Sequence, residues 1–265
     1  MRLVIKIGTQ VISSKTGLNK ERIRQITKEI AGLLKLGHEV VLVSSGAIGA
    51  GLPLVNFTGP LQKKVAAAVG QPMLMHNYIN GAKKYKIVVG QILILSDDFT
   101  NQLNFKNFVL NMEAMLLKKV LPIINENDVM KREDLGLNDN DILSAMVAVG
   151  LKADKLLILT NQNGLFTENP DHNKDAKLIK NVCKIDAKII NGCSIGKSDL
   201  GVGGMCAKVV SAQYATKRGV ETLIGNGEKK GIITKAVSED FPGTTFQVEK
   251  IKRGTLKRVS PRVPL

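Results

Sequence analysis

"VLPIINEND", residues 120–128, is apolar from Val120 to Ile124 without the polar alternation of a half-exposed strand, and it stops abruptly at Asn125, Glu126, Asn127 and Asp128. A short continuous apolar run of this kind is a strand covered on both faces, which is the environment of a parallel sheet sandwiched between helices. Its end then places acid and amide groups at one rim of that sheet.

The surrounding chain repeats the pattern. "LVIKI" (3–7), "EVVLVS" (39–44), "IVVGQILIL" (87–95), "KLLILT" (155–160) and "VETLIG" (220–225) are further strand candidates. Helical spacing fills the intervals over 20–36, 60–81, 105–119, 141–151 and 205–218. In the first of these, Asn19 is a side-chain cap, Ile23, Ile26, Ile30 and Leu33 form the apolar stripe, and Gly37 is the stop. Strand and helix alternation predicts an α/β fold with a mainly parallel central sheet. No Pro-rich linker divides the chain, so one domain is expected over 1–253, followed by a basic tail at 254–265.

Composition narrows the function classes. Of 265 residues, 44% are apolar and 23% charged, values of a folded globular protein rather than a disordered one. No apolar run reaches the ~18–20 residues that a membrane span needs, and the N-terminus lacks a signal-peptide core, so a cytoplasmic protein without a membrane partner is expected. Cys183, Cys193 and Cys206 form no CxxC pair and read as reduced thiols. The net charge of +15 raises nucleic acid as a partner, yet the cations are dispersed and only ten aromatic residues are available for base stacking. A solvated basic surface is the better account, and nucleic-acid binding is not expected.

In an open parallel sheet, ligands bind beyond the carboxyl ends of the strands. Four strands end in small or polar residues: Lys6, Gly8 and Thr9 at the first, Ser44, Ser45, Gly46 and Ala47 at the second, Asn125–Asp128 at another, and Thr160 with Asn161 at another. "GAIGAG" (46–51) is neither a dinucleotide fingerprint nor a P-loop, and "GVGGMCAK" (201–208) lacks the P-loop ending. The second is nevertheless a glycine loop entering a helix, which offers N–H groups and a positive dipole end to an anion, with Lys208 one turn inside. A plain surface loop is the alternative. Lys6, between Ile5 and Ile7, is either the solvent-facing residue of an edge strand or a phosphate-facing cation.

The set "VIKIGT", "VSSGAIGAG", "AAVGQPML", "PIINENDV", "NDNDILSA", "LLILTNQNGLF", "GVGGMCAK" and "PGTTF" resembles the amino acid kinase family, and within it the glutamate 5-kinases. The resemblance implies a three-layer α/β/α sandwich that transfers the γ-phosphate of ATP, with Mg²⁺, to the side-chain carboxylate of L-glutamate and opens proline biosynthesis. It implies that Lys6 and Lys208 stabilise the transferring group, that Asp141 holds both lysines, and that Gly8, Gly46, Gly203 and Gly204 supply backbone donors. Thr160, Asn161 and the loop Val202, Gly203, Gly204, Met205, Cys206, Ala207 and Lys208 would hold ATP. No protein side chain is assigned to the metal.

Chemistry agrees with such a substrate. A glutamate side chain is already ionised at neutral pH, so the reaction needs no general base but must overcome repulsion between anions. His38, His76 and His172 all lie outside the motifs. The substrate ammonium would be met by Asp128, Asp139 and Asn140, and a carboxylate by Ser45 with neighbouring Gly46. The family usually carries Thr-Asp where Thr160-Asn161 stands, and hydroxyl residues at Val202, Cys206 and Ala207, which leaves nucleotide preference open. The chain is also expected to lack the C-terminal PUA-type domain of many relatives and to form a dimer or tetramer. N-acetylglutamate or uridylate kinase activity, a regulatory homologue without turnover, and RNA association remain the alternatives at this level.

Overall fold

The computed structural model describes residues 1–14, 17–56, 58–131, 140–170, 172–194 and 204–249. Asp139, Val202 and Gly203, and the tail expected at 254–265, lie outside the described residues. The strands are β1 (Arg2–Ile7), β2 (Ser13–Ser14), β3 (Gly17–Leu18), β4 (Glu39–Ser44), β5 (Val88–Ile94), β6 (Val120–Glu126), β7 (Lys155–Thr160), β8 (Asn181–Val182), β9 (Glu221–Asn226) and β10 (Thr244–Phe246). The helices are α1 (Thr9–Ile12), α2 (Lys20–Lys35), α3 (Ala47–Gly51), α4 (Gln62–Lys83), α5 (Gln102–Leu117), α6 (Asn140–Gly150), α7 (Ala187–Ser194), α8 (Met205–Thr216) and α9 (Ile232–Lys235).

Eight strands form one sheet in the order β5-β6-β4-β1-β7-β9-β10-β8, with β2 and β3 in a separate hairpin. From β5 through β9 every pairing is parallel, and β10 turns antiparallel to β9. β1 is therefore central, with β4 on one side and β7 on the other, and successive strands are laid down first towards β5 and then towards β9. The sheet is mainly parallel, as the apolar runs imply. The short strands β8 and β10 carry no comparable run and are not legible in the sequence.

Alternation along the strands divides the core into two halves. Leu3, Ile5, Ile7, Leu42 and Ile123 meet Ile23, Ile26, Ile30 and Leu33 of α2 and Leu74 and Tyr78 of α4. Val4, Val41, Val43, Ile124 and Ile158 meet Met112 of α5, Leu143 and Met146 of α6 and Val209 and Ala212 of α8. The result is helix, sheet and helix in three layers. Helix α2 begins where Asn19 Oδ1 accepts the Arg22 N–H and ends in a Schellman turn, with His38 N–H to Leu33 O, Gly37 N–H to Leu34 O and Gly37 at φ 82°. Among the described residues, no helix is long and apolar enough to cross a membrane.

Candidate active site

Period-2 alternation puts Lys6 on the same face of β1 as Val4, towards α6 and α8. In a central strand, and only 4% exposed, Lys6 is not the solvent-facing lysine of an edge. Its Nζ lies 2.5 Å from Oδ1 of Asp141, which is fully buried in the first turn of α6. Lys208, one turn inside α8 and 7% exposed, donates to Asp141 Oδ2 at 2.9 Å. Burial by itself would push the Asp141 carboxyl up, but the charges of Lys6 and Lys208 and their hydrogen bonds outweigh it and hold the group below the ordinary carboxylate range. Asp141 is therefore more than a helix-capping residue.

Among the described side chains, this cluster sets two ammonium groups against one carboxylate in a nearly water-free position, where low-dielectric surroundings strengthen the pull of both ammonium groups on an anion brought against them. The start of α8 adds its dipole at the same place. Gly204 caps the helix at φ −59° and ψ −176°, the Ala207 N–H closes the first turn on Gly204 O, and Met205, Cys206 and Ala207 are half-buried.

The strand ends supply the rest. The Gly8 N–H is committed to Leu159 O at 3.1 Å, so Gly8 does not serve as the backbone donor expected of it. Its use is spatial, because a Cβ there would sit 3.1 Å from Leu159 O and 3.9 Å from Lys6 Nζ. Gly46 adopts φ 106°, a left-handed turn that an L-residue resists, and swings the chain from β4 into α3. Just before it, Ser45 gives its N–H to Ile7 O, and its Oγ accepts from Asn140 Nδ2 at 2.9 Å. Having accepted, the hydroxyl still has a proton to donate.

Asn140 also donates to Asn125 Oδ1 at 3.0 Å, and Asn125, 1% exposed, donates in turn to Gln71 Oε1 at 2.8 Å. Among the described residues Asn140 Oδ1 is buried without a partner, an acceptor open to a donor. Asp128 is the other described member of the expected acid cluster. It lines a cavity of about 200 Å³ with Ala47, Gln71, Pro72, Gln91 and Glu126. Glu126 is held by Lys131 at 2.5 Å. Burial, reinforced by the Glu126 charge and opposed by Lys131, pushes the Asp128 carboxyl up to about 6. Asn140 thus turns its amide towards Ser45 and Asn125, Asp128 stands in the cavity wall beside Gln71, and Asp139 lies outside the described residues.

At the end of β7 the buried Thr160 hydroxyl donates to Asn161 Oδ1 at 3.2 Å, while Thr160 O accepts the Gly227 N–H at 2.7 Å and Asn161 itself is exposed. The histidines lie elsewhere: His38 follows α2, His76 is exposed on α4 and bonded to Asn80, and His172 is in an exposed turn. Among the described residues, no group of three or more His, Cys, Asp or Glu is gathered as a metal-binding set. The sequence places Asn125 only among the polar strand ends, with no stated role, and gives Gln71 no part in the site. A signal for Gln71 existed, since it falls on the same apolar stripe of α4 as Ala67, Gly70, Leu74 and Tyr78, where a polar side chain needs a reason.

Comparison with known proteins follows the same line. The model of the "Amino acid kinase family" matches residues 1–226. A glutamate 5-kinase of Trichlorobacter lovleyi is 41% identical over 251 residues, covering 92% of this chain and 66% of that protein. A glutamate 5-kinase of Clostridium acetobutylicum is 40% identical over 251 residues, covering 92% of this chain and 94% of that protein. The chain therefore spans about two thirds of the first relative's length and nearly all of the second's. Among solved structures, a T. acidophilum isopentenyl phosphate kinase superposes with a TM-score of 0.65 at 17% identity, covering 93% of this chain and all of that one. A UMP kinase from Bacillus anthracis gives 0.63 at 18% identity, covering 93% of this chain and 95% of that one. The solved structures share the fold, and the family match over most of the chain, with a relative at 40% identity covered almost end to end, makes this protein a member of the amino acid kinase family.

Proposed function

We propose that the chain transfers the γ-phosphoryl group of ATP to the side-chain carboxylate of L-glutamate, giving γ-glutamyl phosphate as the first step of proline biosynthesis. The observation that carries this reading is the buried Lys6–Asp141–Lys208 cluster, two ammonium groups positioned by one carboxylate with the histidines all elsewhere. A carboxylate nucleophile arrives ionised, so it asks for cations against the transferring group and for no base. One glutamate oxygen forms the new bond to the γ-phosphorus as the bond to the β–γ bridging oxygen breaks, and ADP leaves with that electron pair. Lys6 and Lys208 face the charge on the transferring oxygens, and Asp141 positions both ammonium groups. Asp128 and Asn140 Oδ1, with Asp139, receive the substrate ammonium, while the Ser45 hydroxyl and Gly46 receive a carboxylate. Thr160, Asn161 and the loop from Val202 to Lys208 hold the nucleotide. Asp141 is engaged by both lysines, which fits a Mg²⁺ ion carried on the ATP phosphates rather than on protein carboxylates.

The same reading makes 1–253 the kinase unit of a cytoplasmic homo-oligomer. Exposed Leu61 at the cap of α4 and Val65, Val69 and Met73 within it, four residues apart, support an assembly of copies, which light scattering tests. The activity itself is tested with ATP, Mg²⁺, hydroxylamine and a panel of acids. γ-Glutamyl hydroxamate from L-glutamate, with little product from N-acetylglutamate or aspartate, is the expected result, and equal turnover of the acetylated substrate overturns it.

A further inference from the structure

The amide chain beneath the strand ends has a direction that the backbone dictates. The Glu126 N–H can only donate, and it meets Asn125 Oδ1 at 2.9 Å. That contact settles which end of the Asn125 amide is oxygen, so Asn125 Nδ2 is the group facing Gln71. Gln71 must then present Oε1 to Asn125 and turn Nε2 the other way. Among the described residues Nε2 has no partner, and Gln71 is only 8% exposed. A buried amide donor left unmade costs about 1–3 kcal/mol, a cost that a ligand acceptor would remove.

Gln71 lines the cavity that Asp128 and Glu126 also line. The two acids suit an ammonium and repel a carboxylate, with Glu126 already engaged by Lys131. In an α-amino acid, however, the ammonium and the α-carboxylate sit on the same carbon. A pocket that takes the first at Asp128 must meet the second close by, and a neutral N–H donor meets it without competing for the acids. We infer that Gln71 Nε2 donates to the α-carboxylate of the amino-acid substrate and makes Gln71 a specificity-determining residue for α-amino acids over amines that lack that group. This rests on the proposed glutamate reading and adds a residue to it. It also gives Asn125 its function, since Asn125 ties the orientation of Gln71 to that of Asn140 and Ser45 on the opposite face of the sheet.

The test compares L-glutamate with 4-aminobutyrate, which is the same molecule without the α-carboxylate. Gln71→Glu keeps an acceptor for Asn125 but replaces the donor by a negative charge, and Gln71→Met removes donor and acceptor at similar length. Expected for Gln71→Glu is a fall of about 10- to 100-fold in kcat/KM for glutamate, carried by KM, on the scale of one lost hydrogen bond to a charged group plus repulsion. Gln71→Met should fall less. For 4-aminobutyrate, read as kcat/KM or as its Ki against glutamate, both variants should stay within threefold of the unaltered enzyme, and KM for ATP within twofold. Equal losses for the two substrates would mark Gln71 as a packing residue and overturn the inference, as would an unaltered glutamate KM. If the unaltered enzyme makes no hydroxamate from glutamate, the functional reading fails first and this inference with it. Activity of the unaltered enzyme together with equal losses sinks the inference alone.

Discussion

Asp128→Asn should make the protein more stable and the enzyme worse. The Asp128 carboxyl, ordinarily near 3.8, is pushed up to about 6 by burial and by Glu126. A native pKa above the unfolded one means that the unfolded chain ionises first as pH rises. The group then contributes nothing below about pH 3.8, and its destabilisation grows between 3.8 and 6 and is complete above 6. At about 1.4 kcal/mol per unit the full shift would be worth about 3 kcal/mol, and solvent screening at this partly exposed side chain reduces it to about 1–2 kcal/mol. Asparagine has the same shape and no charge to desolvate. Urea unfolding should therefore find Asp128→Asn more stable by that amount at pH 7.5 and equal to the unaltered protein near pH 4. In the assay the same variant loses an ionic partner of the substrate ammonium, so KM for glutamate should rise about 10- to 100-fold while KM for ATP stays within twofold. The unaltered enzyme should show its glutamate KM rising as pH falls through about 6, and the variant should lack that inflection. A variant less stable at pH 7.5, or one in which both KM values rise together, would refute the reasoning.

Other outcomes follow from the same geometry. Lys208→Ala removes a preorganised cation facing charge that develops during transfer, so kcat should fall by about 10²–10³ with a smaller change in glutamate KM, measured by steady-state kinetics with circular dichroism as the folding control. Asp141→Asn strips the shared partner from two buried ammonium groups and should cost about 3–5 kcal/mol in urea unfolding, part of it restored by Mg-ATP; an unchanged midpoint would contradict the cluster. Gly51→Ala places a Cβ 1.9 Å from Ala66 O, where α3 lies on α4. The forced separation should cost about 3 kcal/mol and raise glutamate KM through the displaced Ser45–Gly46 turn, whereas Gly192→Ala, exposed and open on α7, should leave glutamate KM unchanged and stabilise by about 0.5–1 kcal/mol.

The residues themselves carry a large part of this protein. Continuous apolar strands between amphipathic helices require a parallel sheet covered on both sides, because only that arrangement buries both strand faces. Asn19 and Gly37 bound α2 through local capping chemistry that needs no distant partner. The polar strand ends locate the ligand rim. Local pattern stops where a contact depends on residues far apart in the chain. That Lys6 is central rather than at an edge follows from the order in which strands are laid beside β1, and its meeting with Asp141 and Lys208 follows from the packing of α6 and α8 on one sheet face. Three-residue β10 and two-residue β8 are too short to show periodicity; β10 exists because β9 offers it an edge, and β8 because β10 does. Glu29 of α2 is buried and accepts the N–H groups of Gly231 and Ile233 at the start of α9, partners far along the chain that no local pattern names. Gln71 reads as a misplaced polar residue until the fold sets Asn125 against it. Hydrophobic periodicity is a one-dimensional signal and determines which faces are buried, while the partner of a buried polar group is chosen by three-dimensional proximity, which only the assembled layers decide.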